Sequence, residues 1–248
     1  VGLELGRERL GRYIRDFGFG RKTGILLPGE GHGILRGEGE WTQVDLANIS
    51  FGQGLGVTPL QMVNALNAVA TGGDLLRPYL VERITSPTGE TVLHNRPEVA
   101  GRVLSVETAR KVTRMMETVT EEGGSGVNAD IKGYRVAGKT GTAQKFELST
   151  GSYSSEKFIA SFAGFAPSRD PAITAIVVVD EPEDRIYGGT VAAPIWKEMV
   201  QKTLKYLSVT PVRPEERLPG GRVPETRLVR REGTEGGDIL KTKIDFVG

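Results

Sequence analysis

Two overlapping motifs share Lys139, and each would give that lysine a different chemistry. In the triplet Lys139-Thr140-Gly141, an ammonium and a hydroxyl can hold a carboxylate by charge-assisted hydrogen bonds. The glycine lets a peptide-like ligand lie against the backbone, and a backbone N–H just beyond it can donate to an oxyanion. The triplet therefore indicates acyl transfer on a ligand that carries a carboxylate.

The second motif is the phosphate-loop string Gly-x-x-x-x-Gly-Lys-Thr over residues 133–140, with an apolar run ending at Asp180 as the matching magnesium-binding strand. A phosphate loop needs a strand before its first glycine and a helix that begins at its lysine. The residues before 133 are instead typical of a loop, residues 134–137 have strand character, and no amphipathic helix begins after Thr140. A nucleotide hydrolase therefore stays the less favoured alternative.

The elements around the triplet predict the fold that must position it. Strand-like runs at 134–145, 157–166 and 172–179 follow one another with short links, which predicts an antiparallel meander. Helical spacing and capping signals predict helices over 3–17, 41–50, 58–71, 105–119 and 193–207, and a hairpin is predicted from residue 79 to residue 94. The fold class is therefore α+β, with an antiparallel sheet flanked by helices.

Two of the predicted helices carry more specific expectations. Thr58 and Gln61 have the spacing of a capping box, which would start one helix. In the last helix, Ile195, Met199 and Leu204 are predicted to face the core.

Composition limits the kinds of site that the chain can hold. The 248 residues include no cysteine, which excludes disulfides, thiolate metal sites and a cysteine nucleophile. His32 and His94 have no partner at ligand spacing, so neither a metal nor another cofactor is predicted. With 32 basic and 31 acidic side chains the net charge is +1, which predicts no nucleic-acid partner.

The composition changes near residue 208. A folded body is predicted over residues 1–207, whereas residues 208–248 are rich in proline, glycine and charge and are typical of an exposed tail or linker. Within this tail, residues 239–247 have the pattern of a short strand. The apolar runs are far shorter than the roughly 20 residues that cross a bilayer as a helix.

Several further segments accompany the triplet in a fixed order. The strand VAGKTGTAQ at 136–144 is preceded by FGFG and TGILLPGE within 17–30 and by FGQG and VTPLQ within 51–61, and is followed by FIASFAGFAP at 158–167. Together they closely resemble class B penicillin-binding proteins, the monofunctional peptidoglycan transpeptidases, over roughly residues 1–207. The 51–61 segment is more similar to the division and sporulation branch than to the elongation branch.

The resemblance implies that the chain is part of a peptidoglycan D,D-transpeptidase. Such enzymes acylate a serine with the D-Ala-D-Ala end of a stem peptide, release the last D-alanine and pass the acyl group to an amine. The implied partners are stem peptides, β-lactams, and membrane proteins of division or sporulation. The implied location is the outer face of the cytoplasmic membrane, held by an N-terminal helix that these 248 residues do not contain.

The resemblance also assigns roles to residues around the triplet. Lys139 would orient the substrate, Thr140 would contact the carboxylate, and Gly141 would permit the backbone approach. Thr142 would supply an N–H to the oxyanion hole and a hydroxyl to the carboxylate. Gln144 and the lysine after it could line the rim of the cleft and contact substrate, but ordinary exposed strand-end polarity is the favoured interpretation of both. Threonines that were buried and bonded to each other would indicate a structural role instead.

Two family motifs, S-x-x-K with the nucleophile and S-x-N, are not found where the resemblance would place them. The family's S-x-N directly precedes a segment like residues 1–3, so the chain is expected to begin just after it. The single S-x-x-K string, at Ser154, is interpreted as coincidental because it follows the triplet in a predicted loop. The chain alone is therefore expected to be inactive. A non-catalytic penicillin-sensing or scaffold relative stays an alternative, and a second K-T-G triplet begins at Lys22.

Overall fold

The computed structural model describes residues 1–147, 149 and 151–211. The predicted strand at 239–247 lies outside these residues, as does nearly all of the predicted tail. The described helices are α1 (Gly2–Asp16), α2 (Gln43–Ser50), α3 (Pro59–Ala70), α4 (Val106–Glu117) and α5 (Gly188–Tyr206). The strands are β1 (Asp74–Arg77), β2 (Arg83–Thr85), β3 (Thr91–His94), β4 (Glu98–Arg102), β5 (Ala137–Glu147), β6 (Ser152–Ala166) and β7 (Ile173–Asp180), and 3₁₀ turns span Glu38–Glu40 and Val127–Ala129.

The three longest strands form one antiparallel sheet in the order β5-β6-β7, which confirms the predicted meander. In its register Thr140 on β5 pairs with Phe162 on β6, which pairs with Val177 on β7. Strand β6 begins at Ser152 rather than at residue 157, because β5 and β6 extend together past their predicted ends as a long hairpin. Helices on both faces of this antiparallel sheet give the predicted α+β class.

Helix α5 covers one face of the sheet. The Trp196 and Phe162 rings meet edge to face with centroids 5.1 Å apart, and the indole N–H of Trp196 donates to the carbonyl oxygen of Ala175 at 3.0 Å. Both aromatic rings are fully buried, so this pair supplies much of the apolar burial between helix and sheet.

The inward face of α5 differs from the predicted one. The helix begins at Gly188 rather than at residue 193, and Ile195 and Met199 are 50% and 40% exposed, so their predicted burial is wrong. Leu204 is buried as predicted. The sequence carries two apolar stripes, and the sheet takes the one with the large indole of Trp196 because that choice buries more apolar area. The buried side chains of this stripe are Ala192, Ala193, Trp196, Val200 and Leu204.

Helices α3 and α4 cover the opposite face of the sheet. Val69 of α3 packs with Ala137 of β5 and Phe165 of β6, and Val112 and Met116 of α4 pack against the same cluster. The sheet is therefore enclosed on both sides near its β5 end.

The start of α3 also holds the loop that follows α1. The predicted capping box is confirmed: Thr58 accepts a hydrogen bond from the Gln61 N–H, and the Gln61 side chain accepts one from the Thr58 N–H. The buried Gln61 amide then donates to the carbonyl oxygens of Arg21 and His32. One side chain thus caps a helix and satisfies two loop carbonyls that would otherwise lack partners.

Two small strand pairs and a helical pair complete the described body. Strands β1 and β4 form a two-stranded sheet that the sequence analysis did not predict, and the predicted hairpin is present as the exposed pair β2 and β3. Helices α1 and α2 share a small core around Trp41. Among the described helices, none is long and apolar enough to cross a membrane.

Candidate active site

The triplet predicted to bind a carboxylate lies on the end strand of the main sheet. Lys139 pairs with Ala163, and Gly141 pairs with Ser161, both across the β5–β6 ladder. No described strand pairs with the other edge of β5. Such an edge presents backbone N–H and C=O groups to an incoming extended chain, an arrangement suited to binding an extended peptide.

The side chains around the triplet divide between the two faces of β5. Ala137 packs on the α3 side, so Lys139, two residues later, points to that side. Thr140 pairs with Phe162, which packs on α5, so Thr140 and Thr142 point to the α5 side. The Lys139 ammonium donates to the carbonyl oxygen of Thr140 at 2.8 Å, which keeps it beside the triplet.

Each threonine hydroxyl has its own partner outside the triplet. The Thr140 hydroxyl lies 3.0 Å from that of Ser125, and the Thr142 hydroxyl accepts a hydrogen bond from the Gly188 N–H at 3.2 Å. Thr140 is half-buried and Thr142 is exposed. They are not bonded to each other, so this arrangement does not match the structural role set out as the alternative.

The N-terminus of α5 is seated directly on the backbone of β5 and β6. A Cβ added to Gly188 would lie 2.1 Å from the carbonyl oxygen of Ser161 and 2.5 Å from that of Gly141, so only glycine fits here. The helix places the partial positive charge of its N-terminus beside Thr142, the residue that follows the triplet. Two hydroxyls and a helix N-terminus therefore lie together on the α5 side of β5, and the Lys139 ammonium is held at the Thr140 carbonyl oxygen, an arrangement suited to an anionic group.

A model of the family described as the penicillin binding protein transpeptidase domain matches residues 1–201. The chain belongs to this family. The resemblance to class B penicillin-binding proteins seen in the sequence is thereby confirmed.

Named relatives agree with the transpeptidase assignment. Stage V sporulation protein D of Bacillus subtilis is 46% identical over 213 residues, which is 85% of this chain and 32% of that protein. Peptidoglycan D,D-transpeptidase FtsI of Escherichia coli is 36% identical over 222 residues, 89% of this chain and 35% of FtsI. The first of these names is consistent with the sporulation part of the predicted branch.

Solved structures agree on the fold. Penicillin-binding protein 3 of Mycobacterium tuberculosis, in crystals complexed with ampicillin, superposes with a TM-score of 0.80 at 31% identity, covering 89% of this chain and 50% of that chain. The complex of the same protein with aztreonam gives a TM-score of 0.78 at 32% identity. The chain thus spans about a third of the length of these curated relatives and about half of the solved chain.

Beyond the triplet, Gln144 and Lys145 lie on β5 near the start of its hairpin with β6. The exposed Gln144 amide donates to the carbonyl oxygen of Ser154 at 3.0 Å. Lys145 contacts Asp180 at 2.9 Å and Glu181 at 2.7 Å, and hydrogen bonds to these carboxylates raise its pKa. Both side chains therefore brace the hairpin, and Gln144 stays a predicted rim residue.

The hairpin reaches the Phe51–Gly54 turn that the sequence analysis found typical of the family. Tyr153 on β6 packs edge to face on Phe146 at 5.5 Å, and its hydroxyl accepts a hydrogen bond from the Gly54 N–H at 2.9 Å. Gly52 and Gly54 have φ of 97° and 78°, which favours glycine at both positions. This turn is thereby joined to the strand that carries the triplet.

The geometry around Lys139 argues against a phosphate loop. Lys139 lies within a strand that continues to Glu147, and no helix begins there. Asp180, the acid of that alternative, is paired with Lys145. Neither the helix N-terminus nor the free acid that nucleotide binding needs is present at these positions.

The S-x-x-K string at Ser154 and the second K-T-G triplet at Lys22 both form local structural hydrogen bonds. Ser154 lies in strand β6, so its predicted loop placement is wrong, and its hydroxyl accepts a hydrogen bond from the Lys157 N–H at 3.2 Å. In the second K-T-G triplet, the Thr23 N–H and hydroxyl both donate to Glu30 at 2.6 Å. Burial tends to raise the pKa of Glu30, but the hydrogen bonds from Thr23 and Gly24 outweigh it and lower the pKa.

Sequence reasoning missed two parts of this site. Ser125 lies outside every helix and strand predicted from the sequence, and Gly188 lies before the last predicted helix at 193–207. Each contacts a threonine hydroxyl of β5. The Gly-Ser-Gly string at 124–126 and the Gly-Gly pair at 188–189 were the available signals, because adjacent glycines mark close backbone approach.

Proposed function

We propose that this chain forms the carboxylate-binding part of a peptidoglycan D,D-transpeptidase site. The reaction is acyl transfer from the D-Ala-D-Ala end of a stem peptide, through a serine ester, to an amine of a neighbouring strand. The observation that carries the proposal is the edge of β5 that no described strand covers, where the Thr140 and Thr142 hydroxyls lie on the α5 side and the Lys139 ammonium is held at the Thr140 carbonyl oxygen.

In this proposal each residue of the triplet strand has a separate task. The Thr140 and Thr142 hydroxyls bind the terminal carboxylate of the substrate, and Lys139 supplies the positive charge that attracts it. Gly141 leaves the strand edge open, and the Thr142 N–H donates to the oxyanion that forms on the scissile carbonyl. Gln144 contacts the substrate from the rim of the cleft.

The nucleophile is proposed to come from outside these 248 residues. Support comes from the single S-x-x-K string, which lies in β6 rather than at a helix start, and from the lack of any S-x-N string in the sequence. The chain alone would then bind without turnover. Residues 1–207 would form the transpeptidase portion and residues 208–248 a tail, consistent with α5 ending at Tyr206.

Ligands and location follow from the family relationship. The Mycobacterium tuberculosis relative is described as complexed with ampicillin and with aztreonam, and we propose that the protein containing this chain also binds β-lactams. By the same reasoning it would act on the outer face of the cytoplasmic membrane, with division or sporulation membrane proteins as partners.

A fluorescent penicillin tests the proposal on the longer protein that contains this chain. Covalent labelling that is blocked by unlabelled penicillin is expected, and the Lys139→Ala variant should label at least about 100-fold more slowly because a charge-assisted contact is lost. Lys22→Ala, in the second triplet, is the matched control and should label normally. A scaffold relative would show no covalent label. Equal labelling rates of Lys139→Ala and Lys22→Ala would reject the proposed role of Lys139 in binding the ligand.

A further inference from the structure

Among the described side chains, that of Ser125 is hydrogen-bonded to the Thr140 hydroxyl. It lies in the turn between α4 and the 3₁₀ segment Val127–Ala129, and its hydroxyl oxygen is 3.0 Å from that of Thr140. Ser125 is exposed, so the contact lies on the open side of the site rather than in the core.

The turn that carries Ser125 is held in place by close backbone packing. A Cβ on Gly124 would lie 2.3 Å from the carbonyl oxygen of Val119, and one on Gly126 would lie 2.7 Å from the Phe162 ring. Both glycines therefore allow an approach that no other residue permits. Ser125 is consequently presented to β5 by a backbone with little freedom to move away.

The same turn is locked to the start of α5. A Cβ on Gly189 would lie 2.0 Å from the carbonyl oxygen of Ser125, and the Asn128 amide donates to the carbonyl oxygen of Gly189 at 2.8 Å. The Ser125 turn, α5 and β5 thus form one interlocked unit that contacts both threonine hydroxyls.

The direction of the hydrogen bonds to the two threonine hydroxyls decides what this unit can do. A carboxylate only accepts hydrogen bonds, and a threonine hydroxyl has a single hydrogen. If Thr140 donates that hydrogen to a carboxylate, the Ser125 hydroxyl must donate to Thr140. The Gly188 N–H acts in the same way on Thr142, because an amide N–H can only donate. Both hydroxyls would then be directed to donate towards the ligand.

We propose that Ser125 is a positioning residue that orients the Thr140 O–H towards the substrate carboxylate. The proposal rests on the proposed function, since it requires Thr140 to bind that carboxylate. Ser125 itself does not contact the ligand, and its effect passes entirely through Thr140.

Acylation kinetics of the longer protein test this role with Ser125→Ala, Ser125→Thr, Thr140→Val and the double variant Ser125→Ala/Thr140→Val. Ser125→Ala should slow acylation by benzylpenicillin about 3- to 10-fold, as expected for one lost hydrogen bond. Ser125→Thr keeps the hydroxyl and should react within about 2-fold of the wild type. The double variant should be no slower than Thr140→Val alone, because the two residues act as one unit.

Benzylpenicillin methyl ester, which has no carboxylate, separates positioning from a general structural effect. Ser125→Ala should leave acylation by the ester unchanged, whereas a distorted site would slow both compounds. Normal acylation of Ser125→Ala, or an effect that multiplies with that of Thr140→Val, would overturn the proposal for Ser125 alone. Normal acylation of Thr140→Val would instead reject the carboxylate-binding role of Thr140.

Discussion

The backbone N–H of Gly188 donates to the side-chain hydroxyl of Thr142, 46 residues earlier in the chain. Gly188 is the first residue of α5, and the side chain of the preceding residue, Tyr187, does not cap this helix. Thr142 therefore accepts a hydrogen bond from one of the N–H groups that the first turn of a helix leaves without a partner inside the helix. This hydrogen bond joins β5 and α5 at the place where we propose that the ligand carboxylate binds.

Replacing Gly188 with alanine should destabilise this junction. The added methyl would lie 2.1 Å from the carbonyl oxygen of Ser161, so the helix must shift and the free energy of unfolding should fall by about 2–3 kcal/mol. Urea unfolding of the chain measures the loss. Gly101→Ala is the control, because its Cβ meets no atom within 4 Å and its stability should be nearly unchanged. Equal stability of the two variants would contradict the close packing of α5 on β5.

Removing the Thr142 hydroxyl should affect binding more than folding. Thr142→Val keeps the shape of the exposed side chain, so the packing of β5 is retained and only the hydrogen bond from the Gly188 N–H is lost. Acylation of the longer protein by penicillin should slow about 10- to 100-fold, the effect of a hydrogen bond to a charged group. Thr142→Ser should retain most of the rate. A Thr142→Val protein with an unchanged rate would place the carboxylate elsewhere.

The features that sequence analysis predicted well are those set by neighbouring residues. The capping box of Thr58 and Gln61 depends on a three-residue spacing, and the strand at Lys139 follows from its β-prone flanks. The contacts that complete the site are different in kind. Ser125 is 15 residues from Thr140, and Gly188 is 46 from Thr142. No local pattern indicates such partners.

The misplaced face of α5 has a related physical cause. The sequence offers two apolar stripes at helical spacing, one with Ile195 and Met199 and one with Trp196 and Val200. Periodicity alone ranks them equally, and the choice depends on the sheet surface that the helix covers. The stripe with Trp196 fits against Phe162, and its alanines allow the helix to lie close to the strands.

The capping box at the start of α2 should depend on pH in acid. Hydrogen bonds from the Thr42 N–H, the Thr42 hydroxyl and Arg36 lower the pKa of Asp45 from 3.8 to about 2. Because the folded pKa lies below the unfolded one, the stabilisation is complete above pH 4 and disappears as pH falls through about 2. Carboxyl-carbon NMR should show Asp45 titrating near pH 2, and Asp45→Asn should lose this part of the acid dependence. A titration midpoint of Asp45 at its ordinary pKa of 3.8 would contradict the capping box of Thr42 and Asp45.

The hydrogen bond between Gly54 and Tyr153 should restrain the hairpin that continues the triplet strand. Tyr153→Phe removes the acceptor but keeps the ring that packs on Phe146, so the backbone N–H of Gly54 should exchange with solvent deuterium about 5- to 10-fold faster. Hydrogen exchange followed by NMR or mass spectrometry measures this change. Tyr206→Phe, at an exposed site at the end of α5, is the matched control. If Gly54 exchanges equally fast in both variants, the Phe51–Gly54 turn does not depend on its hydrogen bond to Tyr153.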